Sequence, residues 1–163
     1  MNKFTPLIKG LITGIAMVAI QLLLYYNNIS PSSTWTYVVY GTFAAGIVWT
    51  LVPFSRSADF TGKFGELFSQ GFRCFIIIIL VLVTYVYIFG KTHPELIEKS
   101  AQVYREELVK EGNRTPEQMD ELVAKAKNSY VAGNVQLTIF ATLILGAFFT
   151  AATAAGIMIA RRK

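Results

Sequence analysis

The chain has 163 residues, of which 53% are hydrophobic and only 15% charged, with a formal net charge of +5. That balance implies one domain whose core is largely the membrane itself, and the basic surplus sits near the ends of apolar runs, which argues against nucleic acid as a partner. Cys74 is the single cysteine, so no internal disulfide can form; beside an apolar run it reads as a small buried residue.

Met1 to Tyr26 carries Lys3 and Lys9 and then an apolar run from Gly10. The run is long, ends in two tyrosines and lacks a small-x-small cleavage pattern, so it is predicted as a first membrane span over about 8–26 rather than a signal peptide. Gly10 and Gly14 have the spacing that permits close helix approach. Gln21 is the main polar residue of the span and is expected to bond a neighbouring helix. Asn27 to Thr34 is a short uncharged turn with Pro31. A second span is predicted over about 35–54, with Gly41, Ala44, Ala45 and Gly46 as a small-residue face.

Residues 55–71 read as an amphipathic connector. Phe60, Phe64, Phe68 and Phe72 recur every four residues, with Lys63 and Arg73 beside them. On a helix this places four rings along one face, as expected of an interfacial helix that meets lipid or a partner. A third span follows over about 72–90, with Ile76 to Val83 as its core.

The segment 91–134 is the only long polar stretch. It holds seven of the fifteen Lys and Arg and eight of the ten Asp and Glu. Pro94 suits a first helical turn and Gly112 a left-handed cap. Thr115 and Gln118 have capping-box spacing. Ile97, Ala101, Tyr104 and Leu108 form one apolar stripe. Met119, Leu122 or Val123, Ala126 and Tyr130 form another. A helical hairpin is predicted, stripe to stripe, with Ile97, Tyr104, Leu108, Met119, Leu122 and Tyr130 as docking residues; Gly133-Asn134 is expected to end its second helix. A fourth span is predicted over about 135–160. Gly146, Ala147, Ala151, Ala152, Ala155 and Gly156 make it rich in small residues, and it is expected to be the most tightly packed helix.

Four spans put both termini on one side. That side would hold eight basic residues (Lys3, Lys9, Arg56, Lys63, Arg73, Arg161, Arg162 and Lys163) against Asp59 and Glu66, a net +6, and the hairpin side −1. Both termini are therefore expected in the cytoplasm. Tyr25, Tyr26, Trp35, Tyr37, Tyr85, Tyr87 and Tyr130 fall at the opposite span ends as an interfacial belt. No Asp, Glu, Lys, Arg or His lies within the apolar cores, which argues against a proton-coupled pump or an intramembrane protease. His93 has no second ligand nearby and reads as an exposed helix-start residue, so no metal site or cofactor is expected. The pairs Glu106-Glu107 and Asp120-Glu121 read as solvated faces.

This layout resembles a family of small four-span proteins of Bacteroidota catalogued as a domain of unknown function. The resemblance rests on the Phe68-Ser69-Gln70-Gly71-Phe72-Arg73 piece of the connector, on Pro94-Glu95 opening a charged helical segment, and on a last span that ends in basic residues. It implies the inner membrane of a Gram-negative bacterium with the hairpin in the periplasm, and it supplies no activity. The expected class is all-α, a polytopic membrane protein with four transmembrane helices, an interfacial helix and an extracytoplasmic helical hairpin. The expected function is a non-catalytic subunit that anchors or assembles a larger complex, contacting membrane lipids and a membrane-protein partner or a second copy. The alternative is a handler of lipid-linked substrate, such as a partner of a polyprenyl-phosphate glycosyltransferase, through the phenylalanine face, Lys63 and Arg73.

Overall fold

A computed structural model describes residues 5–29, 34, 36–112 and 114–161. Lys3, Pro31, Trp35, Arg162 and Lys163, which enter the expectations above, lie outside the described residues. The described residues form five helices: α1 (Pro6–Tyr26), α2 (Thr36–Ser55), α3 (Phe64–Thr92), α4 (Pro94–Glu111) and α5 (Pro116–Arg161). Four of them, α1, α2, α3 and α5, are long and apolar enough to cross a bilayer. The protein is thus an all-α, multi-pass membrane protein by the length and composition of its helices.

Local chemistry sets the helix ends. Thr5 caps α1 through its hydroxyl, which accepts from the Ile8 N–H, and Pro6 occupies the first turn. At the other end Asn28 is left-handed (φ 55°). The Ile29 N–H then reaches the Leu24 carbonyl and the Asn28 N–H the Tyr25 carbonyl, both at 3.0 Å, which is a Schellman closure. The Thr61 N–H and hydroxyl both donate to the Glu66 carboxylate across the start of α3.

The chain divides into two compact units. The first comprises residues 1–82 and 139–163, the second 83–138. In the first, glycines record where helices touch. A methyl group on Gly10 would collide with the Cys74 carbonyl oxygen, and one on Gly14 would lie 2.9 Å from Val81 Cβ, so α1 and α3 run in the same direction. Gly46 of α2 takes Thr13 of α1. Gly71 of α3 takes Thr150 of α5, and a methyl group on Gly146 would lie 2.7 Å from the Phe75 ring, so α3 and α5 run in opposite directions. Phe43 and Phe149 meet edge to face at 6.2 Å, joining α2 to α5. The core holds Phe43, Ile47, Leu51, Leu67, Phe75 and Ile78, and α2 is the most buried of the four apolar helices.

In the second unit, α4 ends at Gly112, which is left-handed (φ 70°). The Thr115 hydroxyl accepts from the Gln118 N–H, and the Gln118 side chain accepts from the Thr115 N–H. Glu98 pairs with Lys127 at 2.6 Å and Arg105 with Asp120 at 2.9 Å. Seven residues forward on α4 match seven residues back on α5, so the two run antiparallel. Ala101 and Leu108 are buried between them.

Three expectations are corrected. Residues 56–63 are not helical, and Phe64 to Gly71 are the first turns of α3 rather than a separate interfacial helix. Phe60 therefore does not share a helix face with Phe64, Phe68 and Phe72. The reason lies at Gly62, whose φ of 91° ends any helical run before Phe64. Next, α5 continues through Gly133-Asn134, carried by the helix on either side, with the Asn134 side chain turned back to donate to the Tyr130 carbonyl. Finally, α5 is the least buried of the four apolar helices, not the most tightly packed. Only Gly146, Thr150 and Ala154, one row spaced by four, are buried on it.

Candidate functional site

The one buried cation among the described residues is Lys9, 3% exposed in the first turns of α1. Its Nζ donates to the Trp49 carbonyl oxygen at 3.1 Å and lies 5.5 Å from the centroid of the Trp49 ring. That carbonyl lacks its helical donor for a reason written in the sequence. In an α-helix it would accept the N–H four residues on. Here that residue is Pro53, inside α2, which has no N–H. The proline removes the helical donor of that carbonyl in an apolar helix, and the lysine of a neighbouring helix donates to it.

The same end of α2 holds a second cation. The Arg161 guanidinium donates to the Ser55 carbonyl oxygen and sits over the Phe60 ring at 4.8 Å. Phe60 in turn meets Phe54 edge on at 5.8 Å. The other carbonyls of this helix end are occupied by local donors. Ser55 Oγ bonds the Val52 oxygen, the Arg56 N–H the Pro53 oxygen, and the Ser57 N–H and hydroxyl the Phe54 oxygen. Cations belong at a helix C-terminus, where the dipole leaves about half a negative charge.

Further into the bundle, Thr13, Thr50 and Cys74 form a buried polar layer. The Thr50 hydroxyl donates to the Gly46 carbonyl at 2.9 Å and lies 3.3 Å from Cys74 Sγ. Thr150 Oγ1 is buried with no hydrogen-bond partner among the described residues.

Of the residues singled out from the sequence, Phe60 lies at this end under Arg161. Phe64 and Phe68 stack on each other at 6.1 Å, and Phe72 meets Phe75 at 5.1 Å. Phe64, Phe72, Lys63 and Arg73 are exposed, whereas Leu67, Gly71, Cys74, Phe75 and Ile78 make the inward face of α3. Gly10, Gly14 and Gly146 lie at helix crossings; Ala147 and Ala151 are half-buried; Ala152, Ala155 and Gly156 are exposed. In the second unit Leu108 is buried, and Ile97, Tyr104, Met119, Leu122 and Tyr130 are half-buried. Ile97, Ala101, Tyr104, Ala126 and Tyr130 line a groove of about 280 Å³ between α4 and α5. His93 precedes α4, stacks on Phe89 at 3.9 Å and has Nδ1 3.0 Å from the Phe89 carbonyl. Among the described residues no three His, Cys, Asp or Glu side chains converge.

The family described as "Protein of unknown function (DUF4199)" matches residues 9–158, nearly the whole chain. The chain belongs to that family. No curated protein and no solved structure matches it. The matched region of this DUF4199 member opens at Lys9, takes in Trp49 and Pro53, and stops short of Arg161. Sequence reasoning missed Lys9, Trp49 and Arg161 as a group. The available signal was Pro53, because a proline inside a spanning helix strands the carbonyl four residues before it.

Proposed function

We propose that the protein is a non-catalytic inner-membrane subunit that anchors or assembles a larger complex, with both termini in the cytoplasm and residues 91–134 as a periplasmic helical hairpin. The observation that carries this reading is the outer side of α5. Its apolar span is the least buried of the four, and Ala152, Ala155 and Gly156 face outward among Phe148 and Ile159. Small residues give lipid chains little to pack against, while a partner helix can approach them closely. Charge supports the orientation: in residues 5–82 and 139–161 five basic residues face Asp59 and Glu66, a net +3, whereas 83–138 carry −1. Extraction from native membranes in mild detergent should bring down a fixed membrane-protein partner in stoichiometric amount, and Gly156→Leu should release it. A homogeneous isolated monomer from the same extraction would refute the proposal.

A second reading, a lipid-linked substrate handler, draws on the exposed Phe64 and Phe72 beside Lys63 and Arg73. Under it, Lys63→Gln with Arg73→Gln abolishes lipid binding while leaving membrane insertion intact. Unchanged lipid binding would rule it out.

A further inference from the structure

The second unit is a bundle one helix short. Where α4 meets the start of α5, only Ala101 and Leu108 are buried among the described residues. The groove of about 280 Å³ lies open along one side of this pair. Ala101 and Ala126 are the small residues of its lining, and Ile97, Tyr104 and Tyr130 the large apolar ones. Along α4 it runs ten residues, from Ile97 to Glu107, or about 15 Å. The side chains at i and i+7 of a helix are separated by about 10 Å, so three ridge residues of a docked helix fit within it. An open trough of this size is at the lower limit of small-molecule clefts, which start near about 300 Å³.

The groove also follows a charge gradient. Residues 105–121, toward the turn between α4 and α5, carry three basic residues against six acidic ones, a net −3. Residues 91–104 and 122–134 carry four lysines against Glu95 and Glu98, a net +2. Within the lining, Lys127 is bound to Glu98 at 2.6 Å. Glu107, exposed at the end toward the turn, is therefore the group that selects an incoming charge. A second copy does not fit the groove. Among the described residues of 94–134 the exposed large apolar side chains are Val103 and Val109, which lie on different faces of α4, so another hairpin has no apolar ridge to insert.

We propose that this groove receives an amphipathic helix of the partner protein, with apolar side chains at i, i+4 and i+7 in the trough and a lysine or arginine beside Glu107. This rests on the reading of the protein as a subunit of a larger complex, and it adds where the partner docks outside the membrane and what it presents there.

Two synthetic helical peptides serve as probes. Both carry leucine at i, i+4 and i+7; one continues to arginine at i+11 and the other to glutamate. Each is labelled with a fluorophore and titrated onto the full-length protein in phosphatidylcholine nanodiscs, with empty nanodiscs as background. The arginine peptide should bind saturably, and the glutamate peptide about fivefold more weakly. Glu107→Lys should reverse that order, whereas Glu106→Lys, outside the groove, should keep it. Ala126→Trp, which fills the groove, should abolish binding of both; if that variant does not fold, the reversal at exposed Glu107 decides. Equal affinity of the two peptides for the unaltered protein, or an order that Glu107→Lys leaves unchanged, would overturn the proposal. So would binding that survives Ala126→Trp, or binding no stronger than to empty nanodiscs. The peptides need no native partner. A partner that co-extracts while the groove fails to discriminate would keep the subunit reading and remove this docking site.

Discussion

At the scale of single residues, this molecule is governed by what a side chain may or may not occupy between helices. At Gly10 a single methyl would strike the Cys74 carbonyl, which is backbone and cannot turn aside. Gly10→Ala should therefore cost about 1–3 kcal/mol through forced separation of α1 and α3. Gly41→Ala, which meets nothing within 4 Å, should be neutral or up to about 1 kcal/mol stabilising. Thermal unfolding of both in the same detergent checks the pair; equal shifts would contradict the assignment of Gly10 to a helix crossing. Thr150 presents the converse. Its hydroxyl is fully buried and unbonded among the described residues. Thr150→Val keeps the shape and removes the orphaned group, so stability should rise by about 1 kcal/mol. A loss instead would mean the hydroxyl has a partner.

At the scale of elements, the sequence foretold apolar runs better than helix ends. The four spans are legible because a bilayer crossing demands about twenty apolar residues in a row, a length that the core of a small soluble domain does not call for. The spacing of Pro94, Gly112, Thr115 and Gln118 was legible too, because caps are local chemistry. Two misreadings turn on a glycine, with opposite outcomes. The phenylalanines recur every four residues, but Phe60 precedes the helix and only Gly62 tells why. Gly133-Asn134 looks like a stop, yet the helix on both sides carries α5 through it. Local propensity, worth about 1 kcal/mol for a glycine, yields to a ladder of hydrogen bonds on either side. Gly133 has open space around it. Gly133→Ala should raise stability by about 0.5–1 kcal/mol, and Gly133→Pro should lower it by about 3 kcal/mol. Melting followed by far-UV circular dichroism distinguishes these outcomes from a real break at 133, for which both changes would be near neutral. The candidate site was illegible for another reason. Lys9 and Arg161 gain meaning only when they converge on one end of α2, and convergence is a property of packing.

At the scale of the whole molecule, the distribution of basic residues sets which side of the membrane each charged region faces. The proposed topology places Lys125, an exposed residue of α5 in the second unit, outside the cytoplasm. In a Cys74→Ala background, Lys125→Cys should react with a membrane-impermeant maleimide in cells whose outer membrane is permeabilised. A cysteine at Ser57, in the net-positive unit, should react only after lysis. The reversed pattern would invert the topology.

The bond between Lys9 and Trp49 spans 40 residues of sequence, and this separation has a consequence for biogenesis. When α1 leaves the ribosome, the acceptor for its ammonium has not yet been made. Until α2 arrives with that carbonyl, the charge should stay with water and headgroups, holding the start of α1 at the membrane surface. Span one should then be completed by span two, the pair inserting as one hairpin. A chain truncated before Trp49 should leave Lys9→Cys open to aqueous maleimide, while the same cysteine in the full-length protein should be shielded; equal labelling of both would show that α1 seats itself unaided.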